Sequence, residues 1–413
     1  MGEKIAGLDV LGDEYFADPH AYHARLREES AATEVVLPRG MKAWLVTRYD
    51  EGRLALADPR FVKHFERFPE VVEKNRVVDT EAAAFDESLV RHMLNLDPPD
   101  HTRLRKLVTK AFTARRVEQL RPRVREITDG LLDRMAEQAG TASAVELVDA
   151  LAFPLPITVI CEMLDVPMDD RKKFREWSNA LVAGGPDAQA IATAGAAMAH
   201  FLSELVEDKR AKPGDDFFSA LVHADDEGDR LDRTELVSMA FLLLVAGHET
   251  TVNLIANGVY HLLRHPEQLA KLRADRSLLP GAIEEVLRFE GPINQATFRY
   301  TNEDVRLGDV LIPKDSVVLV SLLSANRDGS RFPEADRFDI TRPAGGHLAF
   351  GHGVHYCLGA PLARMEGEIA IGSLLDRFDL ELAAEPETLR WRAGTLVRGL
   401  ASLPVSLTPR GSR

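Results

Sequence analysis

Residues 350–359 read Phe350-Gly351-His352-Gly353-Val354-His355-Tyr356-Cys357-Leu358-Gly359. A glycine-rich loop here delivers one cysteine to the start of an apolar helical stretch, Leu358–Phe378. Glycines let the backbone come close to a bulky group, so that backbone N–H groups can donate to the sulfur. The positive end of the following helix favours thiolate over thiol. A single thiolate with no second cysteine nearby suits an axial haem ligand better than a zinc or iron–sulfur site.

Other readings of the same residues remain open at this point. His352, His355 and Cys357 could supply three zinc ligands, but no CxxC and no fourth ligand follow. Gly351-x-Gly353 lacks the third glycine of a nucleotide loop. Cys357 could be a nucleophile paired with His355, though no Asn or Asp stands by to orient that base. A buried structural cysteine describes Cys161, in the apolar stretch Ile157–Leu164, but leaves the glycine loop around Cys357 without a reason.

The rest of the chain narrows the class. It has 413 residues, with 51 Lys or Arg against 65 Asp or Glu, a net charge of −14 that argues against nucleic acid as a partner. Hydrophobic residues make up 45% and charged residues 28%, as in ordinary globular proteins. The opening residues lack the basic start and apolar run of a signal peptide, and no run of about 18 uninterrupted apolar residues offers a membrane span. Only two cysteines, far apart, form no disulfide framework. A cytoplasmic protein without a membrane partner is expected.

Working outward, Pro19–Glu29 reads as helix, and Thr33–Leu37 and Met41–Val46 as strands around a Pro38-Arg39-Gly40 turn. From Asp97 to about Lys212 the periodicity is helical, with breaks at Pro154, Pro156 and Pro167. Ala183-Gly184-Gly185-Pro186-Asp187 reads as a mobile break between two helices. Asp232 with Glu235 forms a capping-box start, and Pro266 ends the helix so opened. Its roughly 32 residues would span about 48 Å and, being apolar on most sides, should cross the interior. Val305–Leu307 and Val310–Ile312 flank a Gly308-Asp309 hairpin, and Ser316–Leu323 is a further apolar run. Nothing reads as a linker. One domain over residues 1–413 is expected, mainly α with a smaller β-rich part at about 30–60, 291–325 and 385–410.

The pattern Phe-Gly-x-Gly-x-His-x-Cys-Leu-Gly resembles the haem-binding signature of the cytochrome P450 family, with every fixed position met. Further matches run from about Leu94 to the C-terminus. Ala246-Gly247-His248-Glu249-Thr250-Thr251, midway along the long helix, is similar to the family's oxygen-activation motif. Ala246 and Gly247 would let a flat macrocycle pack against the helix. Thr250 would back-bond to residue 246 and loosen the helix, and Glu249 would supply an acid for proton delivery. A zinc-protease HExxH fails, because position 252 is Val252. Glu285 and Arg288 resemble the family's structural ExxR pair, for which Arg337 is the best match as third member. His101 and Arg105, one helical turn apart, resemble the family's propionate-binding helix, and Arg299 and His355 match the remaining propionate contacts.

The resemblance therefore implies a cytochrome P450 fold, with the long central helix crossing a haem b and the cysteine loop set before a C-terminal helix. Cys357 would bind the iron, with Phe350 and Gly351 beside the cofactor. Glu249 and Thr250 would be the catalytic pair. The implied reaction is hydroxylation or epoxidation of a bulky, mostly apolar molecule with O2 and two electrons from NAD(P)H, relayed by ferredoxin reductase and ferredoxin. Leu-Val-Arg-Gly-Leu at 396–400 resembles actinobacterial members that tailor macrolides and related natural products. The implied substrate pocket draws on the Val78–Leu94 loop, Leu243–Ala246, Pro292–Thr297 and Thr395–Val397, with Met93, Leu243, Ala246, Ile293 and Leu396 as its lining. Residues 101–125 carry nine Lys or Arg and one acid, Glu118, and so predict a docking patch for an acidic ferredoxin. A non-catalytic haem or gas-binding protein and a peroxide-driven peroxygenase are the alternatives; neither needs the intact Glu249–Thr250 pair.

Overall fold

The long helix organises the molecule. In the computed structural model, which describes residues 4–78, 86–166, 171–183, 188–343 and 345–410, it runs over Arg233–Arg264, 32 residues, as the sequence predicts. The Asp232 carboxylate accepts from the Glu235 N–H at 2.8 Å, and the Glu235 carboxylate accepts from the Asp232 N–H at 2.9 Å. Two donors that would otherwise be orphaned at the helix start are thus satisfied reciprocally. The helix is long and apolar enough to cross a membrane, but most of it is buried in this protein's core. Helices Pro154–Met163, Ala188–Ala211, Leu279–Glu290 and Ala360–Arg377 pack around it. The buried Asn257 amide on it donates to the carbonyls of Glu290 and Arg398, each at 3.1 Å. Cys161 is fully buried in the Pro154–Met163 helix, the structural role expected of it.

The β-rich side holds a seven-stranded mixed sheet, in the order Lys4–Ile5, Leu8–Val10, Ala32–Val36, Lys42–Val46, Val317–Val320, Arg299–Thr301, Phe61–Val62. The predicted Pro38-Arg39-Gly40 turn joins two of these strands antiparallel, and Lys42–Val46 pairs in parallel with Val317–Val320. The short edge strands had no sequence signal, being too brief to show alternation. Within the stretch expected to be β-rich, Tyr49–Ala57 is helix. The hairpin Val305–Leu307/Val310–Ile312 forms as expected. A three-stranded sheet joins Phe378–Leu382, Pro404–Pro409 and Val145–Glu146. Of the two expected loops, residues 184–187 and 79–85 lie outside the described residues.

The Glu285–Arg288 pair is fully buried and bidentate, at 2.8 and 2.9 Å. Arg288 also donates to the carbonyls of Asn326, Ala335 and Arg337, so its fork of donors is satisfied. The assignment of Arg337 as the third member needs correction. Its side chain is 53% exposed and turns to Glu334 and Asp339; only its carbonyl reaches Arg288. The guanidinium beside Glu285 belongs to Arg342, 3.5 Å away and 12% exposed, which also donates to the carbonyls of Pro333, Glu334 and Arg337. The chain from 332 to 339 wraps around Arg288 and offers it carbonyls, so the arginine that closes the network comes a few residues later.

Candidate active site

Two glycines shape the cysteine loop. Gly351 and Gly353 sit at φ +73° and +75°, in the left-handed region. A Cβ at Gly353 would stand 2.9 Å from the Leu56 carbonyl oxygen, so the loop could not close on the Tyr49–Ala57 helix with any other residue. The Cys357 N–H donates to the Phe350 carbonyl at 2.9 Å and closes the loop on itself. Glu284 braces it from outside: its carboxylate accepts from Arg364 at 2.5 and 2.9 Å and lies 3.1 Å from His347 Nε2. The Arg364 guanidinium stacks 4.5 Å over the Phe350 ring.

Burial pushes the Cys357 thiol up from its ordinary value, although the N–H groups of Gly359 and Ala360 donate to the sulfur and Arg105 lies nearby. The helix-end N–H groups favour the thiolate, as the sequence predicts, but burial outweighs them. A cation that takes up the sulfur's charge would make the thiolate, which is the role of a metal ligated by it.

On one side of the loop lies a cluster of basic groups with almost no anions. Lys63 is 6% exposed and Arg299 4%; neither side chain forms an ion pair among the described residues, and Asp97, which accepts from the Lys63 backbone N–H at 2.7 Å, offsets part of their charge from nearby. Lys63 donates to Thr297 Oγ1 at 2.5 Å and to the Phe298 carbonyl at 3.3 Å; Arg299 donates to the Thr297 carbonyl at 3.1 Å. Burial lowers Lys63 well below its ordinary value and Arg299 to about 10. Both His101 ring nitrogens and His355 Nε2 are buried without partners, and the two rings meet edge-on at 4.4 Å. Burial, then the charges of Lys63, His101, Arg299 and Arg105, drives His355 down to about 2. Arg105 donates to the Tyr356 carbonyl at 2.6 Å. Unpaired buried cations cost several kcal/mol each, so this arrangement calls for a dianion. Haem, with two propionates, fits both the cluster and the sulfur beside it. Lys63 was missed because a lone lysine after Phe61-Val62 carries no sequence signal.

The long helix passes this region with its one accessible stretch. Leu243, Ala246, Gly247 and Thr250, at i, i+3, i+4 and i+7, keep partial exposure within a buried helix, and Ala246 is the most open. Side chains back-bond to its carbonyls along this stretch: His248 to Leu244 at 2.7 Å, Thr250 to Ala246 at 2.8 Å, Thr251 to Gly247 at 3.4 Å and Asn253 to Glu249 at 2.8 Å. Such bonds compete with the backbone ladder and bend helices. Gly247 also admits the Pro154–Met163 helix, since a Cβ there would meet Ile160 at 3.1 Å. Glu249 is buried and ion-paired to Arg392 at 3.1 Å, a partner the sequence did not reveal.

Of the expected pocket residues, Ile293 pairs with Val397, and the Asn294 N–H donates to the Leu396 carbonyl at 2.8 Å. Met93 is buried in the turn after Arg91, whose carbonyl accepts from Ser238 of the long helix at 2.8 Å. The basic segment 101–125 is less free than its composition suggests. Arg103, Lys106, Lys110, Arg121 and Arg123 are paired with acids, including Asp226, Asp229, Glu235, Glu118 and Glu162. Arg115, Arg116 and Arg125 have no ion-pair partner among the described residues.

A glycine-shaped cysteine loop, a central helix whose carbonyls take side-chain donors, and a cluster of buried cations short of anions define a haem-thiolate oxygenase. The comparisons agree. The cytochrome P450 family model matches residues 54–397. Cytochrome P450 107B1 of Saccharopolyspora erythraea is 55% identical over 405 residues, covering 97% of this chain and 98% of that one. The 6-deoxyerythronolide B hydroxylase of the same organism is 44% identical over 409 residues, 97% and 98% of the two chains. The structure of the tirandamycin C-bound P450 monooxygenase TamI superposes with a TM-score of 0.88 at 51% identity, covering 97% of this chain and all of that one. The chain belongs to the cytochrome P450 family. It is a haem-dependent monooxygenase.

Proposed function

We propose that this protein, folded as one domain in the cytoplasm, hydroxylates or epoxidises a bulky, mostly apolar natural product such as a macrolide. Two electrons would come from NAD(P)H through a ferredoxin. The haem, when bound, supplies the chemistry of dioxygen activation and oxygen transfer. Cys357 would hold its iron; Lys63, His101, Arg105, Arg299 and His355 would hold its propionates. Thr250 and Glu249 are read as the groups that hold a water and deliver a proton on the distal side. The likeness to the tirandamycin C-bound monooxygenase TamI and to the 6-deoxyerythronolide B hydroxylase supports the substrate class. Support for an acidic donor comes from unpaired Arg115 and Arg116, together with exposed Val354 and Tyr356 on the cysteine loop. Reversing the charge of both arginines should slow reduction by an acidic ferredoxin and remove its salt dependence, while a small chemical reductant still works.

The observation that carries the reading is the Thr250 hydroxyl, 2.8 Å from the Ala246 carbonyl on the accessible face of the buried helix. A substrate would first be found by the haem's low-spin to high-spin shift. With it, Thr250→Ala should leave binding and first-electron reduction nearly intact. NAD(P)H oxidation should continue while product falls and hydrogen peroxide rises; a peroxide-fed reaction should suffer less. An unchanged ratio of product to NAD(P)H would show Thr250 to be a packing residue.

A further inference from the structure

Beside the site lies a contact that its chemistry does not use. His248, fully buried on the long helix, precedes Glu249 by one residue and Thr250 by two. Its Nδ1 is 2.7 Å from the Leu244 carbonyl oxygen and its Nε2 is 3.1 Å from Ser178 Oγ. A carbonyl can only accept, so Nδ1 carries the proton and Nε2 is the acceptor. The Ser178 hydroxyl therefore donates to it. Burial lowers the His248 pKa, which keeps the ring neutral and this polarity fixed. The Phe153 ring stands edge-on to the imidazole at 6.1 Å and limits where it can turn.

Ser178 belongs to a different element, the helix Arg171–Ala183. That helix packs chiefly on Ala188–Ala211, through Phe174, Trp177 and Phe201. The Ser178–His248 bond ties it directly to the long helix, where the bond reaches the carbonyl of Leu244 through one rigid ring. Leu244 is the first of the four carbonyls that take side-chain donors through this stretch. A displacement of Ser178 would leave Nε2 an unsatisfied buried acceptor and loosen the hold on the Leu244 carbonyl.

We propose that Ser178 is a positioning residue: through His248 it couples the seating of the Arg171–Ala183 helix to the geometry of the Glu249–Thr250 stretch. The assignment rests on reading Glu249 and Thr250 as the oxygen-activating pair, and it makes the state of that pair depend on a helix that carries neither residue.

The test is hydrogen–deuterium exchange of the holoenzyme, which needs no substrate. Ser178→Ala should speed exchange roughly 3- to 10-fold, the scale of one lost buried hydrogen bond, in peptides covering both 171–183 and 244–252. The Phe378–Leu382 strand, in a separate sheet, should not change. Ser178→Thr, which keeps the hydroxyl, should restore both segments. His248→Phe, which keeps a buried ring but no acceptor, should speed exchange in 171–183. Faster exchange confined to 171–183 in Ser178→Ala, or a uniform rise that includes Phe378–Leu382, overturns the coupling. A failure of the Thr250→Ala prediction with these exchange results intact would instead overturn the role given to the pair.

Discussion

The Glu249 carboxylate lies 3.1 Å from the guanidinium of Arg392, joining the middle of the long helix to a segment that arrives more than 140 residues later. The acid is buried, while the Arg392 side chain keeps 31% of its surface exposed. The Arg392 N–H in turn donates to the Gly399 carbonyl at 2.9 Å, which fixes the segment that presents it.

Replacing Arg392 with Met should leave the buried Glu249 carboxylate without its ion pair and free to change position. Product formation per NAD(P)H should fall on the order of 10-fold, less than the roughly 10²–10⁴-fold that a general acid or base contributes. Measuring this ratio with a substrate found by the spin-shift screen, beside the solvent isotope effect on turnover, checks it. An unchanged ratio and isotope effect would make Arg392 purely structural.

Lys63 should act oppositely in the two forms of the protein. In the apoprotein it is a buried amine with only neutral hydrogen-bond acceptors, and burial disfavours its charged form, so Lys63→Met should raise the unfolding midpoint, by about 1–3 kcal/mol of stability. In the holoenzyme the same change removes a charge-assisted partner worth about 1.5–3 kcal/mol, and haem transfer to apomyoglobin should be roughly 10- to 100-fold faster. Lower stability in both forms would show that Lys63 serves packing alone.

The two candidate arginines of the Glu285 network can be separated by stability. Arg342→Ala removes an ion pair to a fully buried carboxylate and three carbonyl contacts, and should cost about 2–3 kcal/mol. Arg337→Ala removes exposed ion pairs and leaves its carbonyl in place, so it should cost less than about 0.5 kcal/mol. Denaturant midpoints of the two variants decide between them, and equal losses would count against the correction.

Glu284 gives a pH signature. Burial alone would raise its carboxyl, but the hydrogen bonds from His347 and Arg364 outweigh that and hold it down at about 2, against an ordinary 4.5. A lowered carboxylate stabilises the fold fully above its unfolded value, and that contribution is lost as pH falls through the folded one. Wild type should therefore exceed Glu284→Gln in thermal midpoint by a constant gap above pH about 4.5. The gap should close toward pH about 2. A gap that does not vary with pH would assign the effect to packing.

The cysteine loop, the capping box at Asp232 and the hairpin at Gly308-Asp309 were legible in the sequence because each is local. Their glycines, caps and turn residues act within a few positions, and backbone sterics and hydrogen bonding fix their geometry wherever they occur. The Thr250 back-bond was legible for the same reason, since an i−4 carbonyl is always within reach on a helix.

What only the tertiary structure decided were the partners of charges. Arg342 rather than Arg337 beside Glu285, Arg392 on Glu249, Lys63 among the buried basic groups around His355 and Ser178 on His248 all join segments distant in sequence. Periodicity says which face of a helix is buried, but not which chain end comes to lie against it. A charged side chain's worth depends on desolvation and on the groups within a few ångströms of its end, and those exist only once the chain has folded. The same limit thinned the basic segment 101–125. Five of its nine cations are paired with acids that composition counts without placing, and Arg115, Arg116 and Arg125 have no acid partner among the described residues.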